Sequence, residues 1–207
     1  MLGWAAAALS QATIVDRRIC CSDSQEIMAV ARDYGLETPW QRPPHLAEDT
    51  SLVIDVVLHA LDTLEAAGER YTHVALVQAT SPTVLPEDID QAVQMAIDTG
   101  ADTVITGVEA GQQHPSTMFY AGADGRVKWL QDAKARQARR QDLDAIYVRT
   151  GLIYVVSVAT LRATNSIYGE KIFASIVPEE RAVAIDTLFD FKIAEILLKE
   201  SENAKRK

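Results

Sequence analysis

Gln78-Ala-Thr-Ser-Pro82 follows directly on the run His73-Val-Ala-Leu-Val77, so a carboxamide and two hydroxyls stand where an apolar strand stops. Open α/β sheets collect their ligands at that end of a strand. A basic stretch, Lys134 to Arg140 with Gln141 after it, and an isolated acidic step, Asp186-Thr187, are the other polar groupings of note. Guanidinium forks and amides are the groups that hold a carboxylate or phosphate in a fixed pose. Each grouping also has a plain structural use: Thr80 and Ser81 as turn or capping residues, the basic stretch as a solvated face, and Asp186 as a helix N-cap. His45, His59, His73 and His114 show no metal-ligand spacing. No serine or cysteine stands in an elbow or electropositive setting, so covalent catalysis is not indicated.

Composition narrows the field further. The 207 residues suit a single domain, residues 1–207, with a core of its own. A formal net charge of -9 argues against nucleic acid as a partner, while local arginines still suit a small anion. No run approaches the roughly 18 apolar residues that cross a bilayer, and no basic segment precedes Met1 to Leu9, so neither a membrane span nor a leader is expected. Cys20 and Cys21 are adjacent and poorly placed to pair, which predicts buried thiols in a reducing cytoplasm.

The polar groupings must be positioned by an alternation of apolar runs and amphipathic stretches. A helix is expected from Gly3 to Thr13, and a buried strand over Arg18-Ile-Cys-Cys-Ser22. A helix capped by Asp23 with Glu26 follows, then a Pro-rich loop over Arg42 to Asp49. Val53, Val56, Val57, Ala60, Leu61 and Leu64 recur at helical spacing, His73 to Gln78 reads as a strand, and Pro86 opens a helix with Ile89, Ala92, Val93, Ala96 and Ile97 inward. A strand over Asp102 to Val108 completes a strand-helix alternation that predicts an α/β fold, a doubly wound and mostly parallel sheet. Later come a hairpin around Gly122-Ala-Asp-Gly125, strands over Ile146 to Val156 and Ile172 to Val177, and a helix from about Thr187 whose Phe189, Ile193, Ile196 and Leu197 share a face. The stretch 117–156 reads as a small antiparallel insertion for dimer or substrate contacts, and 202–207 as a polar tail. Doubly wound sheets ordinarily begin with a strand and a phosphate-cradling loop. Neither precedes the first helix, and no glycine-rich loop replaces them.

Several segments together resemble the acylneuraminate cytidylyltransferases (CMP-sialic acid synthetases). Leu76-Val-Gln-Ala-Thr-Ser-Pro82 is similar to that family's Leu-Gln-x-Thr-Ser-Pro loop, and Ser22-Asp23 with Glu26-Ile27 to its Ser-Thr-Asp-x-x-Glu-Ile strand end. Gln41-Arg-Pro-Pro-His-Leu-Ala-Glu-Asp49 resembles its Arg-Pro-x-x-Leu-Ala-x-Asp loop. Arg139-Arg-Gln-Asp-Leu143 with Gly151-Leu-Ile-Tyr154 resembles its Arg-x-x-Leu-Pro and Asn-Gly-x-Ile-Tyr segment, and Ala184-Ile-Asp-Thr187 its closing Asp-x-Asp-Thr. The order is the family's, from about residue 3 to residue 200.

The resemblance implies a nucleotide-diphospho-sugar-transferase-like fold and CMP transfer from CTP to a sialic-acid-like nonulosonic acid, with release of pyrophosphate. It implies Gln78, Thr80, Ser81, Arg140, Gln141 and Tyr154 at the sugar, Arg42 and Ser51 at the nucleotide, and Arg140 and Asp186 as catalytic residues. Magnesium would be held by Asp186. Ala184 replaces the family's first aspartate, Thr150 its asparagine, and Asp144 its proline. The resemblance also implies a homodimer with CTP and an acidic sugar as its small-molecule partners. Two other readings stay open: a relative serving a legionaminic- or pseudaminic-type sugar, and a non-catalytic or fragmentary relative, lacking the N-terminal strand and CTP loop, that binds without turnover.

Overall fold

A computed structural model describes residues 1–205 of the chain; residues 206–207, the end of the expected polar tail, and the side chains of Arg140 and of residues 202–205 lie outside what it describes. In chain order the elements are α1 (Leu2–Gln11), α2 (Gln25–Asp33), α3 (Val53–Ala66), β1 (His73–Val77), α4 (Pro86–Thr99), β2 (Thr103–Glu109), β3 (Phe119–Ala121), β4 (Val127–Trp129), α5 (Ala133–Gln137), β5 (Tyr147–Ser157), α6 (Val158–Thr164), β6 (Ile172–Ile176) and α7 (Leu188–Lys205).

The main sheet has four strands in the order β1-β5-β2-β6. β5 runs antiparallel to both β1 and β2, whereas β6 is parallel to β2. The sheet is therefore mixed, and its antiparallel member lies inside it. The residues of the expected insertion divide accordingly: only β3 and β4 form a separate two-stranded ribbon, while 147–156 belong to the central sheet. Periodicity reveals that 147–157 is a strand but carries no information about its direction.

Helices cover both faces. On one, Ile89, Ala92, Val93 and Ala96 of α4 pack with Ala5 and Ala8 of α1 against Val104, Ile153 and Val155. On the other, Ile54, Val57 and Leu61 of α3 pack with Leu161 of α6 against Tyr154 and Val156. α4 shows why its sequence folds there. Pro86 starts it, Asp88 accepts the Leu85 N–H at 3.0 Å, and Gly100 closes it in the left-handed region at φ 56°. Asp90 fastens α1 to α4 by accepting the Thr13 N–H at 2.9 Å.

Four local expectations are corrected. Arg18 to Ser22 forms no full strand; it makes a single parallel bridge, Ile19 with Glu37. Cys20 and Cys21 beside it are free and only half-buried. Ser24, not Asp23, caps α2, its hydroxyl accepting the Ile27 N–H at 3.3 Å. The apolar face expected at the end of the chain is largely open: Phe189 is 70% and Ile196 58% exposed, Ile193 and Leu197 are half-buried, and the buried position there is Ala194.

Candidate active site

Gln78 stands one residue past β1. Its N–H donates to the Leu152 C=O at 3.1 Å, its C=O accepts the Ser81 N–H at 3.1 Å, and its side chain makes no hydrogen bond among the described residues. Strand alternation puts Gln78 on the same face as Leu76, whose cross-strand partner is Tyr154. A carboxamide thus stands at the carboxyl end of β1, on the face that Leu76 shares.

β5 is bent at this point. The pairing of β2 with β5 jumps from Ile105–Tyr154 to Gly107–Arg149, leaving Thr150 to Ile153 as a bulge. Gly151 adopts φ 73° to permit it. Thr150 donates its hydroxyl to the Thr106 hydroxyl at 2.9 Å, and the Thr106 hydroxyl donates to the Ile153 C=O at 3.2 Å, so the bulge is stitched to a buried strand residue. The bulge brings Arg149 to Tyr154: Nη1 donates to the phenol oxygen at 2.6 Å and also to Tyr168. The guanidinium lies 5.8 Å from the Tyr154 ring centroid and 5.9 Å from that of Tyr168. Burial first, then the Tyr168 hydroxyl, push the Tyr154 phenol above its ordinary range, with Arg149 acting against them.

The loop after β1 is stapled to the segment before α7. Thr80 accepts the Ile185 N–H at 2.9 Å through its carbonyl, and Thr83 donates its hydroxyl to the Arg181 C=O at 2.9 Å. Beneath them, Arg181 meets the buried Asp88 at 3.4 Å. Burial raises the Asp88 carboxyl, opposed by the Leu85 N–H and by Arg181. Asp186 is exposed, and its N–H is turned toward Asp190 at 3.2 Å. Thr187 rather than Asp186 caps α7: Asp190 accepts the Thr187 N–H at 2.7 Å, and the Thr187 hydroxyl accepts the Asp190 N–H at 3.3 Å. The Asp186 carboxylate makes no hydrogen bond or ion pair among the described residues.

The structure thus brings Gln78, Thr80 and the segment bearing Asp186 to one end of the sheet, with Tyr154 opposite Leu76 on β5. Ser81 shares the loop, yet its hydroxyl is fully buried without a partner. Arg42 and Ser51 are placed elsewhere. Arg42 donates Nη2 to the Cys21 C=O at 2.6 Å. Ser51 closes its own loop by donating to the His45 C=O and accepting the Glu48 N–H, both at 3.1 Å, and Leu52 takes the N-cap position of α3. Gln141 is exposed in a short 3-10 turn, Arg140–Asp142; the Arg140 side chain lies outside the described atoms.

Arg149, Tyr168, Asp88 and Arg181 are the residues that sequence reasoning missed. Arg149 left a trace, as a lone cation two residues before glycine in an apolar strand. The Asp88–Arg181 pair joins residues 93 positions apart and left none. As for a metal, no group of three His, Cys, Asp or Glu residues converges among the described residues, and Ala184 leaves Asp186 as a single carboxylate. That set fits an ion shared with ligand phosphate and water, not one caged by protein alone.

Comparison with known proteins decides the family. The family model described as cytidylyltransferase matches residues 1–186. The chain belongs to the cytidylyltransferase family. It is 27% identical over 187 residues to the pseudaminic acid cytidylyltransferase of Campylobacter jejuni, covering 90% of this chain and 79% of that protein. It is 28% identical over 201 residues to the CMP-N,N'-diacetyllegionaminic acid synthase of Legionella pneumophila, covering 94% of this chain and 83% of that one. Among solved structures it resembles CMP:2-keto-3-deoxy-manno-octonic acid synthetase complexed with CTP, at TM-score 0.68 and 12% identity over 97% of this chain and 88% of that chain. At that identity the likeness speaks for the fold, and the cytidylyltransferase fold expected from sequence is the one observed.

Proposed function

We propose that this cytidylyltransferase transfers CMP from CTP to an acidic nonulosonic sugar, with the sugar held at the carboxyl end of β1. The observation that supports the reading is the stapling of the Gln78–Ser81 loop to the segment bearing Asp186, through the Ile185 N–H on the Thr80 C=O at 2.9 Å. The reaction asks little covalent chemistry of the protein. It must align the anomeric hydroxyl with the α-phosphorus of CTP and offset charge as pyrophosphate departs. Gln78 orients the acyl-bearing sugar, and Tyr154, locked by Arg149, forms a rigid wall behind it. Arg140 pairs with the sugar carboxylate, Gln141 and Thr80 supplement these contacts, and Arg42 and Ser51 belong to the nucleotide side. Magnesium, held by Asp186 together with phosphate oxygens, would neutralise triphosphate charge. In this reading the protein acts in the cytoplasm as a homodimer. The exposed ribbon residues Tyr120 at 65% and Phe119 and Val127 at 50% supply the apolar surface that supports pairing.

The test is a panel of pseudaminic, legionaminic and N-acetylneuraminic acids, with a neutral hexose as control. Sugar binding is read by calorimetry, and pyrophosphate release by a coupled assay with CTP. Sugar-dependent pyrophosphate release with one nonulosonic acid is the expected result. Ala184 favours a second reading, binding without turnover, which would give calorimetric binding and no pyrophosphate. If no acidic sugar binds or reacts, both readings fall.

A further inference from the structure

Arg149 is exposed, yet its guanidinium is held in place by its own chain. Nη1 donates to two phenol oxygens, those of Tyr154 and Tyr168, and the two rings flank the guanidinium at 5.8 and 5.9 Å. The rings stand at 81° to one another, so they confine the cation from two directions. What remains is the edge formed by Nε–H and Nη2, two parallel donors that no described residue accepts. Neither neighbouring strand lays a side chain across Arg149. Its partner on β2 is Gly107, and β1 has already ended, its last pair being Val77 with Ile153.

The lack of a carboxylate is informative. The chain carries 29 Asp and Glu against 20 Lys and Arg, and Arg17, Arg126, Arg139, Arg162 and Arg181 each take one or two of them. Arg149 takes none among the described residues; two neutral phenols hold it and leave its charge uncancelled. A plain strut has no use for that arrangement, because an aspartate in place of either tyrosine would hold the guanidinium more strongly and neutralise it. Phenols fix the fork and keep its charge for a visitor. A long side chain that is already immobile also gives up little rotamer freedom when it binds. The bulge in β5 sets this fork beside the residues read at the sugar: Gln78 donates its N–H to Leu152, within the bulge whose two ends are Arg149 and Tyr154.

We infer that Arg149 is a specificity-determining residue: its Nε–Nη2 edge takes the carboxylate of the nonulosonic acid in two hydrogen bonds, so that the site selects an acid over a neutral sugar. The inference rests on the proposed sugar site and extends it by one residue and one rule of selection. A carboxylate has about four lone-pair positions, so a fork here is compatible with a further contact from Arg140. Triphosphate is the poorer fit. It brings several charges to a single cation whose flanks are aromatic, whereas a pyranose presents C–H faces that pack on such rings.

The test compares the unmodified chain, Arg149→Met and Arg149→Lys by calorimetry, using whichever of the pseudaminic, legionaminic and N-acetylneuraminic acids the chain binds, and the C1 carboxamide of that sugar. Methionine keeps much of the stem and loses the fork, while lysine keeps the charge as a single point. Arg149→Met should lower affinity for the acid at least about tenfold and leave the carboxamide within about threefold, the loss expected of a charge-assisted pair. Arg149→Lys should fall between. Equal weakening of acid and carboxamide overturns the inference, because it makes Arg149 only a prop for Tyr154. An unchanged preference for the acid overturns it too, as does a loss of CTP affinity with sugar affinity intact. Should Arg149→Met lose its fold, Tyr154→Phe combined with Tyr168→Phe releases the fork and keeps both rings; a preference for the acid that does not shrink there is equally decisive. If the unmodified chain binds none of the acids, the proposed function falls and this inference with it. Binding that ignores Arg149 removes the inference alone.

Discussion

The Ile185 N–H reaches the Thr80 carbonyl at 2.9 Å and fixes the segment carrying Asp186 against the loop that follows Gln78. Residues separated by more than half the chain thereby become neighbours at one end of the sheet. If that end receives the sugar, Gln78→Ala removes an amide that bonds no other described residue. Calorimetry should show sugar affinity falling about tenfold with Tm unchanged, the loss expected of one hydrogen bond.

The nucleotide side is read separately. Arg42 donates to the Cys21 C=O and Ser51 to the His45 C=O. If CTP is the CMP donor, millimolar CTP should raise the Tm by several degrees in differential scanning fluorimetry. Arg42→Ala should shrink that shift; an equal shift in both chains would remove Arg42 from the nucleotide side.

Arg181→Met leaves the Asp88 carboxylate, 1% exposed, without its ion partner. The expected cost is about 3 kcal/mol, because removing one member of a buried pair strands the other charge. Denaturant unfolding would read it. Because burial raises the Asp88 carboxyl, the defect should shrink in mildly acidic buffer, where the stranded group takes up a proton.

Gly151→Ala places a side chain on backbone at φ 73°. A loss of about 1–2 kcal/mol is expected from the left-handed conformation alone. The added methyl would sit 3.7 Å from the Tyr154 hydroxyl, an ordinary contact, so the damage should register as lowered Tm with little change in tyrosine fluorescence.

Acid sensitivity should trace partly to Asp102. Its carboxylate accepts the Lys171 N–H at 2.8 Å and the Glu170 N–H at 3.0 Å. The Lys171 N–H, outweighing burial and helped by Glu170 and Thr160, holds the carboxyl below its ordinary value. A group depressed in the folded state stabilises above the unfolded value and loses that contribution as pH falls through the folded one. The relevant window therefore lies below about pH 4. Asp102→Asn should flatten the Tm-against-pH curve in that window; an unchanged slope would remove Asp102 from the account.

What could be read from sequence follows from what is local. The spacing of Ile89, Ala92, Val93 and Ala96 defines the buried stripe of α4, and Gln78 was legible because a polar residue ends an apolar run. The Thr187–Asp190 capping box was legible in type but was displaced by one position in the reading. Direction and partnership are not local. Nothing in Tyr147 to Ser157 announces that it runs against its neighbours. Nothing near Asp88 announces Arg181, and nothing in β1 announces an open flank. Those facts come from loop closures across tens of residues, where no sequence period operates.

Arg17 has one more consequence. Its guanidinium bonds Glu37, which pairs with the Ile19 segment, and also Glu69 in the turn that leads into β1. One side chain thus buckles three stretches of coil that share no ladder. Shortening it, as in Arg17→Ala, should let those stretches fray together while α4 and the inner strands keep their protection.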